Sequence, residues 1–175
     1  VVVVSGNVKL NEVKRFANQY LAPIPAQPEP PKVLITEPPQ TGERRITVQK
    51  DVYTPSLAIA YKVPEAKHED YYALSILSDI LTSGNSSRLY AALVDDKQLA
   101  TQIFTYFGES FDPTLFQILA TSAKDVDELV LEKAIYEEIE KVKSDGITER
   151  ELQKIKNQKL MQFYSQIETI NGKSN

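Results

Sequence analysis

Seven of the ten prolines in this 175-residue chain fall between Pro23 and Pro39. Proline fixes φ and has no N–H to give a helix or a central strand, so this stretch does not belong inside regular structure. It reads instead as a semi-rigid, extended connector, and residues 23–42 are assigned as a Pro-rich linker. A proline-rich recognition ligand would share the composition, but ordered patterns flank the segment on both sides.

Ahead of the linker, the β-branched run from Val1 to Ser5 has the pattern of a strand buried on both faces. Gly6 and Asn7 break it, and Leu10, Val13, Ala17, Tyr20 and Leu21 then share one face of a helix over 9–21. Past the linker, Ile46 and Val48 suggest a strand at 43–50, and Leu57, Ile59, Tyr61 and Val63 alternate in a second at 56–63. Ala73, Ile76, Leu77, Ile80 and Leu81 give helix 69–82, which Ser83-Gly84-Asn85 ends before another at 86–96. Strands at 100–108 and 114–122 are joined through Gly108 to Pro113. Leu131, Ile135, Ile139 and Val142 stripe a helix over 126–144, stopped by Asp145-Gly146. Thr148 and Glu151 form a capping box that opens a last helix, on which Leu152, Ile155, Leu160, Phe163 and Ile167 share a face. Residues 171–175 are expected to fray.

The order is βα, linker, ββααββαα, which predicts an α+β fold: a mostly antiparallel sheet with helices over one face. Residues 1–22 are expected to be the last strand and helix of a preceding domain. Residues 43–175 are expected to form a second domain, truncated at its C-terminal end.

Donor chemistry is sparse. There is no cysteine and one histidine, His68. Disulfides, thiolate metal sites and cysteine nucleophiles are thereby excluded, and no His-rich metal site can be assembled from this chain alone. The net charge of -4 comes with no basic run, so no phosphate-tracking groove and no nucleic-acid partner is expected. No apolar run approaches the roughly 18 residues of a membrane span.

Three constellations invite a chemical reading. A zinc helix of H-E-x-x-H type would need histidine at position 72, where Tyr72 stands after His68-Glu69-Asp70. The inverted H-x-x-E-H order fails at Tyr71 and Tyr72 alike. Glu69 and Asp70 suit a helix N-terminus through the macrodipole, with His68 beside them near the surface. The pairs Glu137-Glu138 and Asp95-Asp96 point about 100° apart on a helix and converge on no common atom, so they read as solvated faces. Gly84-Asn85-Ser86-Ser87-Arg88 could present free N–H groups to an anion, yet it has one glycine and no phosphate-loop spacing, and it reads as a helix cap with Arg88 serving the fold. No catalytic, cofactor-binding or metal-binding residue is assigned.

Several segments together carry a family resemblance. Val1 to Val8, the following helix, and Tyr20-Leu-Ala-Pro-Ile-Pro25 resemble a strand, helix and "y-f-g-p-i-p" exit found in the insulinase, pitrilysin and mitochondrial-processing-peptidase family. Tyr72 to Leu81, with Gly84-Asn-Ser-Ser-Arg-Leu-Tyr90, resembles that family's "G-x-S-S-R-L-y" segment, and Asp145 to Leu152 resembles its "G-v-t-e-x-E-L" helix start. The likeness runs over nearly the whole chain.

In that family zinc is held by an H-x-x-E-H helix and a downstream glutamate of a first domain, and the enzyme closes from two similar halves. The resemblance implies a non-catalytic C-terminal domain fragment of a zinc-dependent peptidase, walling the substrate chamber and docking the other half. Its implied partners are a preceding zinc-bearing domain of the same polypeptide, a second homologous half or subunit, and a peptide substrate. Zinc is expected in the preceding domain and no cofactor in this chain. A periplasmic or extracytoplasmic location follows by family analogy alone.

Halves that assist from across the chamber usually continue "L-R-E-x-x-G-L-x-Y", with arginine and tyrosine on the peptide. Here Val94, Asp95, Gln98 and Thr101 stand for the arginine, glutamate, glycine and tyrosine. The missing pair suggests a segment that follows a zinc-bearing domain. A half degenerate in both features, a structural or peptide-binding scaffold subunit, is the other reading.

Overall fold

The computed structural model describes residues 2–31 and 37–174. The chain separates into two units, Lys50–Met161 and a second made of Val1–Gln49 with Gln162–Asn175.

The larger unit is built on a three-stranded antiparallel sheet of β1 (Ser56–Val63), β2 (Ala100–Tyr106) and β3 (Thr114–Ser122), in the order β1-β3-β2. Helix α2 (Asp70–Thr82) and the short α3 (Arg88–Tyr90) carry the chain from β1 across to β2, while β2 and β3 form a hairpin. Helices α4 (Glu128–Asp145) and α5 (Glu149–Glu168) follow.

Alternation sorts the sheet into two faces. Ile59 sits opposite Ile118, Leu57 and Ile103 flank Ala120, and Tyr61 meets Phe116. This inner face joins Leu81, Leu89, Leu93, Leu131 and Ile135 in the core. Burying a side chain of this size contributes about 1.5–3 kcal/mol, so this cluster dominates the unit's stability. The opposite face leaves Phe104, Tyr106 and Leu115 exposed. The α+β architecture with helices on one face is as the hydrophobic periodicity predicts.

Local chemistry fixes the helix ends. The Asp127 carboxylate accepts the Leu129 N–H at 2.7 Å and opens α4, and Gly146, at φ 71°, closes it in a conformation that suits glycine. Hydroxyls clamp α2 to β2: Thr105 Oγ1 lies 2.6 Å from both Ser78 Oγ and Thr82 Oγ1, and Thr82 Oγ1 accepts the Thr105 N–H at 2.9 Å.

Several expectations need correction. Residues 43–50 form no strand, and Ile46 and Val48 are 87% and 70% exposed. Residues 2–5 likewise form no strand and Val2 to Val4 are exposed, while Val1 lies outside the described residues. Both segments have strand-like residues but join no sheet among the described residues, and propensity alone does not make a strand. The helix expected over 86–96 tightens to α3 and then widens, with the Lys97 N–H reaching back to the Ala92 carbonyl at 3.0 Å. Residues expected to fray include a short helix α6, Ile170–Ser174.

In the smaller unit, α1 (Leu10–Phe16) runs on through Ala17–Leu21 as a wider π-type turn. The proline-rich segment has no helix or strand among its described residues, and residues 32–36 of it lie outside them.

Candidate functional site

A dense polar arrangement joins two of the motif segments that carried the resemblance, Gly84–Tyr90 and Asp145–Leu152. Ser87 opens α3: its hydroxyl and its N–H both donate to the Gly84 carbonyl, at 2.6 and 3.0 Å. That turn aims Arg88 at the start of α5. Its Nε and Nη2 donate to the two Glu151 carboxylate oxygens at 2.7 and 2.8 Å, and Nη2 also reaches the Gly146 carbonyl at 2.9 Å. Glu151 in turn accepts the Thr148 N–H and hydroxyl, each at 2.8 Å, while Thr148 Oγ1 accepts the Glu151 N–H at 3.2 Å. The capping box seen in the sequence is complete, with a bidentate arginine added from 63 residues away.

Hydrogen bonding to Arg88 outweighs partial burial and holds the Glu151 carboxyl down at about 2. The same bond raises the Arg88 guanidinium above its ordinary value. Farther along α5, Lys154 Nζ meets Ser86 Oγ at 2.6 Å, and Lys159 Nζ reaches Asp79 and Ser75 at 2.6 and 2.9 Å. Residues 151 to 159 of α5 therefore lie antiparallel along residues 75 to 88. Arg88 has its guanidinium fork committed to Glu151 and Gly146. The site fastens α5 to α2 and α3.

The other sequence candidates are dispersed. His68 Nδ1 accepts the Asp70 N–H at 3.2 Å and so caps α2. The same nitrogen lies 3.5 Å from Asp70 Oδ2. Asp95 and Asp96 are exposed. Glu138 departs from its reading as a solvated face: it is only 8% exposed, with Lys141 and Lys97 donating to Oε1 at 2.9 and 3.1 Å. Burial pushes its pKa up, but the two ammonium groups more than offset this and leave it lowered. The i+3 spacing to Lys141 was visible in the sequence; the contact with Lys97 was not.

The departures from the assisting-half pattern have structural counterparts. Val94, in place of the arginine, packs against the core. Thr101, in place of the tyrosine, donates to the Thr121 carbonyl at 3.4 Å. Gln98, in place of the glycine, has φ 53° just past the end of the wide turn, where the Leu99 N–H returns to the Leu93 carbonyl at 2.8 Å. This is the left-handed closing position that glycine favours. Gln98→Gly is expected to stabilise the chain by about 0.5–1 kcal/mol, read as a higher urea midpoint; a lower midpoint would show that the side chain contributes more than its backbone costs.

Zinc does not fit this donor set. The chain has no thiol and one imidazole, that imidazole is a helix cap, and among the described residues no group of three His, Cys, Asp or Glu could hold a metal ion. Nor is any helix among them long and apolar enough to cross a membrane.

Comparison with known proteins gives this arrangement a context. The family described as "Peptidase M16 inactive domain" matches residues 1–159. The "Zinc protease PqqE" of Helicobacter pylori is 35% identical over 172 residues, covering 97% of this chain and 39% of that protein. The "Uncharacterized zinc protease YmxG" of Bacillus subtilis is 28% identical over 177 residues, covering 99% and 41%. A crystal structure of a protease from Helicobacter pylori superposes with a TM-score of 0.89 at 34% identity, covering 96% of this chain and 41% of the other. The chain thus spans about two fifths of the length of these curated relatives. A match across residues 1–159, both motif segments and their junction included, places the chain in the peptidase M16 inactive-domain family.

Proposed function

We propose that this chain is the non-catalytic domain of a zinc-dependent peptidase, walling the substrate chamber and docking the other half. The observation that carries the reading is the 35% identity to a protein named a zinc protease, confined to 39% of that protein's length. The remaining length leaves room for a metal-bearing domain that the donors of this chain do not build. Residues 1–22 would then complete the preceding domain and 23–42 would space it from 43–175.

In such a peptidase, zinc bound in the preceding domain would supply activated water. This chain would contribute rigidity: the junction of Arg88 with Glu151 fixes α5 against α2 and α3, and the sheet backs them. The test is peptide hydrolysis by the full-length protein with residues 43–175 removed. Hydrolysis is expected to fall to background while zinc stays bound. Undiminished hydrolysis would overturn the chamber role. If the intact full-length protein holds zinc-free, hydrolytically silent halves, the domain belongs instead to a peptide-binding scaffold.

A further inference from the structure

The outer strands of the sheet, β1 and β2, are both edges, and they are finished differently. On β2 the Thr105 N–H is taken by Thr82 Oγ1 at 2.9 Å, and Thr105 Oγ1 lies 2.6 Å from Ser78 Oγ, so α2 closes that edge with hydroxyls. No strand pairs with the far side of β1 among the described residues.

One bond fixes what β1 presents there. The Ser122 N–H donates to the Pro55 carbonyl at 3.0 Å, in line with the register that sets Ser56 opposite Thr121. Bonded and non-bonded pairs alternate along an antiparallel ladder. Leu57, Ile59 and Tyr61 therefore bond to β3, while Ser56, Ala58 and Ala60 turn their N–H and C=O groups outward, and all three are exposed. The strand is eight residues, about 26 Å long. Soluble proteins blunt such an edge with bulges, internal proline or charge. Here the pairing with β3 runs unshifted from Ser56 to Val63, the strand has no proline, and its one charge, Lys62, stands at its end, two residues before Pro64.

We propose that a further strand of the same polypeptide, from the segment that follows residue 175, pairs along β1 and makes it an interior strand. The curated relatives are long enough to hold one, since this chain covers 39% and 41% of them. A tethered strand meets the edge at an effective concentration of about millimolar, an advantage that a free peptide or a second copy lacks. Ala58 and Ala60 share the outer sheet face with Leu119 and Gln117, their partners in β3. An apolar or β-branched residue of the added strand would cover the Ala58 methyl beside Leu119. The choice of the following segment rests on reading residues 1–22 as the end of a preceding domain; the pairing itself does not.

The experiment is amide hydrogen exchange with backbone NOE measurement by NMR on the full-length protein, and on the 175-residue chain for comparison. In the full-length protein the Ala58 and Ala60 amides are expected to exchange within about tenfold of the Ile59 amide, which bonds to β3. In the 175-residue chain they are expected to exchange roughly 100-fold or more faster than Ile59. NOEs from the Ala58 backbone in the full-length protein are expected to reach residues beyond 175. Unprotected Ala58 and Ala60 amides in that protein would overturn the pairing, whether or not the shorter chain folds. NOEs to residues 1–50, to a segment ahead of residue 1 or to a second copy would overturn the choice of strand. Zinc content and hydrolysis enter neither readout, so loss of the peptidase reading leaves this test intact.

Discussion

Leu89→Ala is expected to destabilise the Lys50–Met161 unit by about 3–5 kcal/mol and to lower its melting temperature by roughly 10 °C or more. Leu89 has 0% exposure and shares the core with Leu93, Leu131 and Ile135. It sits on the three-residue α3, between a capped turn and a widened one. Neither flank can slide inward to refill a void without releasing Arg88 from Glu151 or Leu93 from the core. The cost is therefore expected in the upper half of the range for leucine truncation. Leu89→Met, which conserves volume, is expected to cost under about 1.5 kcal/mol. Leu160→Ala, at a position 51% exposed, is expected to change stability by about 0.5 kcal/mol or less. Urea unfolding of the three variants checks the order. A loss below about 1.5 kcal/mol at Leu89 would mean that the core is looser than its burial indicates.

The junction at α5 gives the second large effect. Glu151→Gln removes the carboxylate charge and leaves an amide N–H₂ facing the Arg88 fork, so a loss of about 2–3 kcal/mol is expected. The side chains of the pair are 23% and 30% exposed, which keeps the figure below that of a fully buried pair. Arg88→Lys is not expected to rescue it, since an ammonium cannot bridge both Glu151 oxygens and the Gly146 carbonyl in the same geometry. A double-mutant cycle at Arg88 and Glu151 should show coupling above about 1 kcal/mol.

The pH dependence follows in sign. The Glu151 carboxyl is held at about 2 in the folded chain, against an ordinary value of 4.5. A depressed folded value means that the stabilisation is fully present above about 4.5 and is lost as pH falls from there towards about 2. Unfolding midpoints measured at pH 7, 4 and 3 should drop more steeply for the parent chain than for Glu151→Gln. Parallel slopes would show that the carboxylate gains nothing from Arg88 on folding.

What was legible in the sequence divides along a physical line. Alternation at Leu57, Ile59, Tyr61 and Val63 defined β1, and the Leu131, Ile135, Ile139 and Val142 stripe defined α4, because burial on one face imposes a period. The Thr148 and Glu151 capping box was equally readable, being local. Residues 2–5 and 43–50 misled because a strand exists through its neighbours, and β-branched or alternating residues record only a willingness to pair. The partner of Glu151 was invisible for a related reason: Arg88 is 63 positions away, and nothing in the turn at Gly84 says where its guanidinium points. Glu138 was misread because adjacent acids suggest solvent, whereas Lys97 and Lys141 compensate its burial. Gln98 falls between these cases. Its place in the resemblance marked a glycine position, and only the backbone, at φ 53°, shows what that glycine would be for.

The central claim is that this chain supports a reaction without performing it, and metal content with activity on the same sample tests it most directly. The purified 175-residue chain would be equilibrated with zinc, dialysed, and divided between elemental analysis and a peptide-hydrolysis assay. Zinc far below one ion per chain, with hydrolysis at the buffer rate, is the expected result. One tightly retained zinc per chain accompanied by peptide cleavage would contradict it.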